Sequence, residues 1–349
     1  MCAMGVERKV LHVGPALTRG GMGRTIRRLN ENPPDGWSTD VLTTHADGGI
    51  IAILRAWNRA KRVLSTKLSE KPDLVHIHTA TRASWFRKRK IIRKARRFGI
   101  PVIVHLHSGA FDSFGKGWIG KDISKVLSLK GVYPIVLTEY WKKWLQPMTS
   151  NKVRIIPNPY RYGLSPTPPE ERDVNLLLMV GRPSFIKGHS LAINAIRELR
   201  NEGQDICLHL AGTSQNDLPK KNRSVDGVVA KGWIEDNELD MLINKAGFLL
   251  MPSKHEGMPL SLLDGLATGL PAIVSSACSS FIEEGGIVIQ ERTVDAWKKG
   301  IKNQINNREK WEKMVINAPN DVVGLDSETD KLRWGKVYDE IIEIHSKIG

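Results

Sequence analysis

A chain of 349 residues, 41% hydrophobic and 26% charged, is long enough for two globular domains with separate cores. Its three cysteines (Cys2, Cys207, Cys278) are far apart and form no CxxC or Cys/His pattern, so neither a disulfide scaffold nor a zinc site is expected, and a reducing cytoplasm is the natural setting. The net charge of +15 is uneven: residues 1–161 hold 30 Lys/Arg against 10 Asp/Glu, the remainder 22 against 27. A basic first half implies an anionic partner, which leaves nucleic acid, anionic lipid and a phosphorylated acceptor open. No apolar run reaches the roughly 18–20 residues that span a bilayer, and residues 1–10 lack the apolar core of a signal peptide, so any membrane role is peripheral.

From the amino terminus, a short apolar strand at 9–13 runs into a glycine turn, Gly20-Gly21-Met22-Gly23, and a helix is predicted from Arg24. Further apolar runs at 38–43, 74–78, 102–107 and 133–137 alternate with helical or polar segments, the rhythm of a parallel sheet with crossover helices. Between two of them, residues 85–98 carry eight cations in fourteen positions, with Trp85, Ile91, Ile92, Ala95 and Phe98 as an imperfect apolar stripe. Pro157, Pro159, Pro166, Pro168 and Pro169 then mark an extended linker over 161–173, because each proline restricts its own φ and its predecessor. A second series places strands at 175–180, 206–211, 228–231, 248–251, 271–274 and 286–289, and helices at 190–201, 236–245 and 261–269. The tail spaces Leu332, Val337, Ile341, Ile344 and Ile348 as a helix does. The expected fold is α/β: two Rossmann-like doubly wound domains, 1–160 and 174–325, facing a cleft, with a closing helix over 326–349 that returns to the first.

Two loops carry the chemistry. Gly181-Arg182-Pro183-Ser184-Phe185-Ile186-Lys187-Gly188 lies between a strand and a helix, at the carboxyl edge where open α/β sheets bind ligands. Arg182 offers a planar fork and Lys187 a point charge, a pair suited to a diphosphate, while Gly188 lets the backbone approach. The second loop runs from Pro252 through Glu256-Gly257-Met258-Pro259-Leu260 into a helix whose first N–H groups favour an anion. Glu256 and Asp264 are two carboxylates able to hold hydroxyls of a sugar and a ribose. Either pair alone is as readily a solvated loop or helix surface.

In order and spacing, Gly181, Arg182, Lys187, Gly188, Pro252, Ser253, Glu256, Gly257, Pro259, Gly269 and Pro271 resemble the donor-site signature of the retaining glycosyltransferases with the GT-B fold. The resemblance implies that Arg182 and Lys187 clamp the donor diphosphate, that Glu256 holds the transferred sugar, and that N–H groups from Met258 to Ser261 take a phosphate. The family's ribose-binding glutamate is Asp264 here, one methylene shorter, and its following alanine is Gly265. In the first half, Gly21 and Gly23 resemble the family's glycine turn at the donor phosphates. The strands ending in His76 and His78, and in His105 and His107, resemble two family strands; strand alternation puts His105 and His107 on one face, and His107 is placed at the transferred sugar. Ile155-Ile156-Pro157-Asn158 resembles the entry to the linker, with Pro159 in place of the usual glycine.

The resemblance thus implies an enzyme that moves a hexose from a UDP- or GDP-linked donor to a glycan or lipid-linked acceptor, with no cofactor and no metal. Residues 85–98 are expected to meet an anionic membrane surface, each cation near it adding about 1 kcal/mol. The competing reading is a crossover helix with its stripe packed on the sheet. No nucleic-acid-reading motif accompanies the cations. A nucleotide-sugar epimerase or glycan phosphorylase of the same fold, or a basic nucleic-acid-binding protein with an inactive donor site, are the alternatives.

Overall fold

The computed structural model describes residues 7–348, so Cys2 lies outside the described residues. In chain order the elements are β1 (Arg8–Gly14), α1 (Gly21–Glu31), β2 (Trp37–Thr43), α2 (Ile50–Ser69), β3 (Leu74–Thr79), α3 (Ala83–Arg97), β4 (Val102–Leu106), α4 (Phe111–Phe114), α5 (Gly117–Leu127), β5 (Val132–Val136), α6 (Glu139–Leu145) and β6 (Arg154–Ile155). There follow β7 (Asp173–Val180), α7 (His189–Asn201), β8 (Cys207–Ala211), β9 (Val228–Gly232), α8 (Asp236–Lys245), β10 (Ala246–Met251), α9 (Leu260–Ala267), β11 (Ala272–Ser275), β12 (Gly286–Ile289), α10 (Val294–Ile305), α11 (Arg308–Asn317) and α12 (Ser327–Ile348). The chain divides into two compact units: one ends at Asn158 and resumes at Ser327, the other spans Pro159–Asp326.

The first unit is built on a six-stranded parallel sheet ordered β2-β1-β3-β4-β5-β6. Alternation along the strands gives it two faces. Leu11, Val13, Val75, Ile77, Val102 and Val104 pack with Leu64 of α2, Ile92 of α3 and Ile123 of α5. The opposite face carries Val10, Leu74, Ile103 and Ile135, covered by Leu29 of α1 and by Trp334, Tyr338 and Ile341 of α12. The tail is therefore helical, but its buried stripe is set by Trp334, Tyr338 and Ile341, at i, i+4 and i+7. Leu332, expected in that stripe, is 63% exposed.

The second unit holds six parallel strands ordered β12-β11-β10-β7-β8-β9, the 3-2-1-4-5-6 succession of dinucleotide-binding folds when counted from β7. The first unit begins instead in the 2-1-3-4-5 order. Both are doubly wound, but their strand order reverses at different places: between β1 and β3 in one, between β7 and β10 in the other. Leu177, Phe248 and Leu250 of the second sheet pack with Ile193 and Ile196 of α7, Trp297 of α10 and Trp311 of α11. The proline-rich stretch lies against this unit: Tyr160 N–H donates to Leu325 O and Thr167 N–H to Thr268 O, both at 2.9 Å.

Candidate functional site

In the second unit the loops after β7 and β10 flank the point where the strand order reverses, the place at the carboxyl edge where open α/β sheets bind ligands. Gly181 adopts φ +135° and Gly188 φ +79°, backbone conformations that suit glycine. A side chain at Gly188 would begin 2.4 Å from the carbonyl oxygen of Pro252, so that glycine lets the two loops touch. Lys254 N–H donates to Ile186 O at 2.7 Å, and Arg292 donates to Pro252 O at 2.9 and 3.1 Å, fixing their relative position. As a result Lys187 Nζ stands 2.7 Å from Glu256 Oε1, with the Glu256 side chain 9% exposed and that of Lys187 33%. Residues 69 apart in sequence meet as an ion pair that a diphosphate and sugar hydroxyls can each compete for. Arg182 lies on the same loop, exposed.

Gly257, Met258 and Pro259 are buried, and the helix begins at Leu260, one residue earlier than the pattern predicts. Pro259 is its N-cap and contributes no side-chain acceptor; Leu262 and Leu263 N–H donate to Pro259 O, so the N–H groups of Leu260 and Ser261 remain as donors for an anion. Asp264 is one turn further in and 1% exposed. Its two oxygens accept from Arg161 N–H at 2.9 Å and Arg161 Nε at 3.2 Å, and Arg161 also pairs with Asp240. The carboxylate read as the ribose contact is thus held by a cation that sequence reasoning used only as a boundary. No motif marks Arg161 or Arg292; their roles arise from chain segments that fold back onto the loops.

The first unit gathers histidines. His12 on β1 pairs in register with His76 on β3, and His78 with His105 on β4. All lie on the α12-covered face, because they continue the alternation of Val10, Leu74 and Ile103 toward the carboxyl ends. His107 is the first residue past β4 and not within it, and it is the partly exposed member. Two chains of ring nitrogens result. His12 Nδ1 meets His78 Nε2 at 3.2 Å and His78 Nδ1 meets His107 Nε2 at 3.0 Å; Tyr338 OH meets His76 Nδ1 at 2.8 Å and His76 Nε2 meets His105 Nδ1 at 3.4 Å. Burial pushes the imidazoles of His12 and His107 down to about 3, and burial reinforced by neighbouring histidines holds His76, His78 and His105 well below the usual range. All five rings are neutral near pH 7. The HxH spacing on two strands was the visible signal for four of them; His12 had none.

The glycine turn is mostly helix: α1 starts at Gly21, three residues before the predicted start, with Gly20 as its N-cap. Gly21 is exposed and Gly23 buried. A side chain on Gly23 would begin 2.2 Å from Thr18 O, so the preceding loop requires that glycine whatever binds there.

The basic segment forms α3, with Trp85, Ile91, Ile92 and Ala95 buried in the core and Phe98 41% exposed. Its stripe packs on the sheet, as the crossover reading expects, and leaves Lys90 and Arg97 exposed. Several cations are also engaged within the protein. Arg89 and Arg93 reach Asp122 at 2.8 and 3.2 Å, Arg96 donates to Lys130 O at 2.7 Å, and Lys88 is buried with Nζ 2.5 Å from Thr44 Oγ1. Burial, with Arg87 adding to it, lowers Lys88 to about 7. A different basic surface emerges on α2, where Ile50, Ile51 and Leu54 are 76%, 64% and 53% exposed and are followed by Arg55, Arg59, Lys61 and Arg62. Among the described residues no helix is long and apolar enough to cross a membrane.

Residues 174–307 match the family model of the glycosyl transferases group 1, and residues 5–161 that of glycosyltransferase family 4. A glycogen synthase of Mycobacterium tuberculosis is 26% identical over 64% of this chain and 57% of its own, so the chain spans little more than half of that relative. An Escherichia coli UDP-Gal:alpha-D-GlcNAc-diphosphoundecaprenol alpha-1,3-galactosyltransferase is 24% identical over 65% of each chain. Sucrose-phosphate synthase from Thermosynechococcus elongatus superposes with a TM-score of 0.80 over 97% of this chain and 100% of its own, at 16% identity. Anabaena HepE, solved with UDP and glucose, gives 0.73 over 95% and 100%, at 14% identity. At these identities the two solved structures establish likeness of fold.

Proposed function

The chain belongs to the glycosyltransferases of group 1 and family 4, with their GT-B architecture, and on that premise we propose that it moves a hexose from a UDP- or GDP-linked donor to a glycan or lipid-linked acceptor with retention of anomeric configuration. The observation that carries the donor assignment is the Lys187–Glu256 pair beside the start of α9. A diphosphate arriving there exchanges the Glu256 carboxylate for its own charge on Lys187, adds Arg182, and meets the first N–H groups of α9. Glu256, released, accepts hydrogen bonds from the transferred sugar. These fixed cations and dipoles stabilise the departing diphosphate, so the reading needs no metal in this step. Met258, Pro259 and Leu260 supply backbone to the phosphate, and Asp264 reaches a ribose once Arg161 shares it. For Gly21, Gly23 and His107 the family resemblance supplies the roles, donor phosphate and transferred sugar.

The test is a panel of nucleotide sugars read by thermal shift and by transfer to membrane extract, with wild type and Lys187→Ala compared. Stabilisation by one nucleotide class and transfer lost in the variant are expected. Donor turnover without acceptor would turn the reading to an epimerase, and a response to polynucleotides alone would reject the enzyme.

A lipid-linked acceptor places the protein at a membrane surface, on its cytoplasmic face in this reading. The apolar, basic edge of α2 supports that partner better than residues 85–98 do, because its apolar groups are exposed and α2 contains no acid. Ile50→Ser/Leu54→Ser should abolish flotation with anionic vesicles that the wild type shows; equal flotation of both would remove α2 from the interface.

A further inference from the structure

The histidine face of the first sheet has the makings of a metal centre that the transfer reaction does not call for. We propose that His78, His105 and His107 bind one divalent transition ion of the zinc class, with His12 and His76 orienting the ligands from behind. One ring nitrogen from each of the three lies within 4.8 Å of the other two. His78 Nδ1 and His107 Nε2 already face each other at 3.0 Å. Ligand bonds of about 2.0–2.1 Å in a tetrahedral site hold nitrogens roughly 3.3–3.4 Å apart, so this pair must open by a few tenths of an ångström and both rings must turn toward a common point. As third ligand atom we assign His105 Nε2, which is buried and has no hydrogen-bond partner. A buried, unpartnered imidazole nitrogen on a member of such a cluster is the feature an ion would satisfy.

The remaining nitrogens form a supporting shell. His78 Nε2 meets His12 Nδ1 at 3.2 Å, His105 Nδ1 meets His76 Nε2 at 3.4 Å, and His76 is held in turn by the Tyr338 hydroxyl at 2.8 Å. When the Nε2 of His78 carries the proton and donates to His12, its Nδ1 lone pair is left for the ion, and the His12 proton moves to Nε2, an atom with no partner. Binding therefore needs a change of tautomer and no net proton release. A second triad, His12, His76 and His78, shares His78 and is wholly buried. The outer set is preferred because His107 is partly exposed and gives the ion an entry and a fourth position. The wide spacing of the cysteines excludes a thiolate site but says nothing about an all-histidine one.

The experiment uses untagged full-length protein stripped with a chelator, then dialysed against zinc, with cobalt(II) as a visible-absorption probe. One ion per chain is expected, with the intense cobalt band of four-coordination. His105→Gln should weaken binding about 100-fold or more and His12→Asn about 10- to 100-fold, while His209→Gln, on the other unit, changes nothing. Zinc binding unaltered in a His78→Gln/His105→Gln variant would overturn the proposal, as would no binding by the wild type. Because a substituted core histidine can unfold the sheet, X-ray absorption on the wild-type zinc complex provides a second measurement. Three imidazole ligands support the site, and fewer than three overturn it.

Discussion

At the carboxyl edge of the second sheet Lys187 and Glu256 meet at 2.7 Å as opposite charges, whereas at the edge of the first sheet His78 and His107 meet at 3.0 Å as neutral rings. The two edges are alike in being parallel and doubly wound, yet the chemistry sits on different parts of the chain. In the second unit it is carried by loops beyond the strands, where partial exposure lets ions persist and ligands compete for them. In the first it is carried mainly by the strands themselves, under α12, where water is excluded and the groups remain uncharged. The same contrast recurs deeper in each unit. Asp264 is buried beside Arg161, while Lys88 is buried against a hydroxyl. The location of a titratable group in a doubly wound fold thus decides whether it is paired or neutralised, and hence whether it recruits anions or presents lone pairs.

The largest effect expected is on the buried ion pair. Asp264→Ala leaves the Arg161 guanidinium without its inner partner and should cost about 3–5 kcal/mol in chemical denaturation. Asp264→Glu retains the charge with a longer reach; higher transfer activity in it than in wild type would show that the shorter acid is a tolerated departure from the family pattern. Next comes the part-buried pair. Lys187→Ala should lower transfer roughly 100- to 1,000-fold with an unchanged unfolding midpoint, and full activity in an Arg182→Ala/Lys187→Ala double variant would sink the donor assignment. The smallest effect, taken per unit of pH, lies in the first unit. Burial lowers Lys88 from 10.5 in the unfolded chain to about 7 in the fold, so between those values the unfolded chain binds more protons. Stability is lost as pH falls from 10.5 toward 7 and is level below, at up to about 1.4 kcal/mol per pH unit. Lys88→Met should flatten that slope in urea titrations; an identical slope in both proteins would mean that Lys88 keeps its charge when folded.

The amino-acid sequence alone was enough for every strand but the two-residue β6, because parallel strands buried on both sides read as short apolar runs at 74–78 or 248–251 whatever they pack against. It also placed the two proposed donor loops. Gly188 and Lys187 precede one helix, Glu256 and Pro259 precede another, and both loops leave neighbouring strands at the carboxyl edge of the sheet. Four histidines were legible as two HxH strands, and the alternation correctly put His105 and His107 on one face. What the sequence did not determine is everything that depends on a distant segment returning. His12 joined the cluster only through the β1–β3 register, Arg161 reached Asp264 across 103 positions, and Trp334 and Tyr338, not Leu332, closed the histidine face. The packing of the cationic run at 85–98 was left open for the same reason. Local spacing shows that a stripe and a charged face exist, but only the packed sheet, with Asp122 and Thr44 beside it, decides which face is inside and which cations are already engaged.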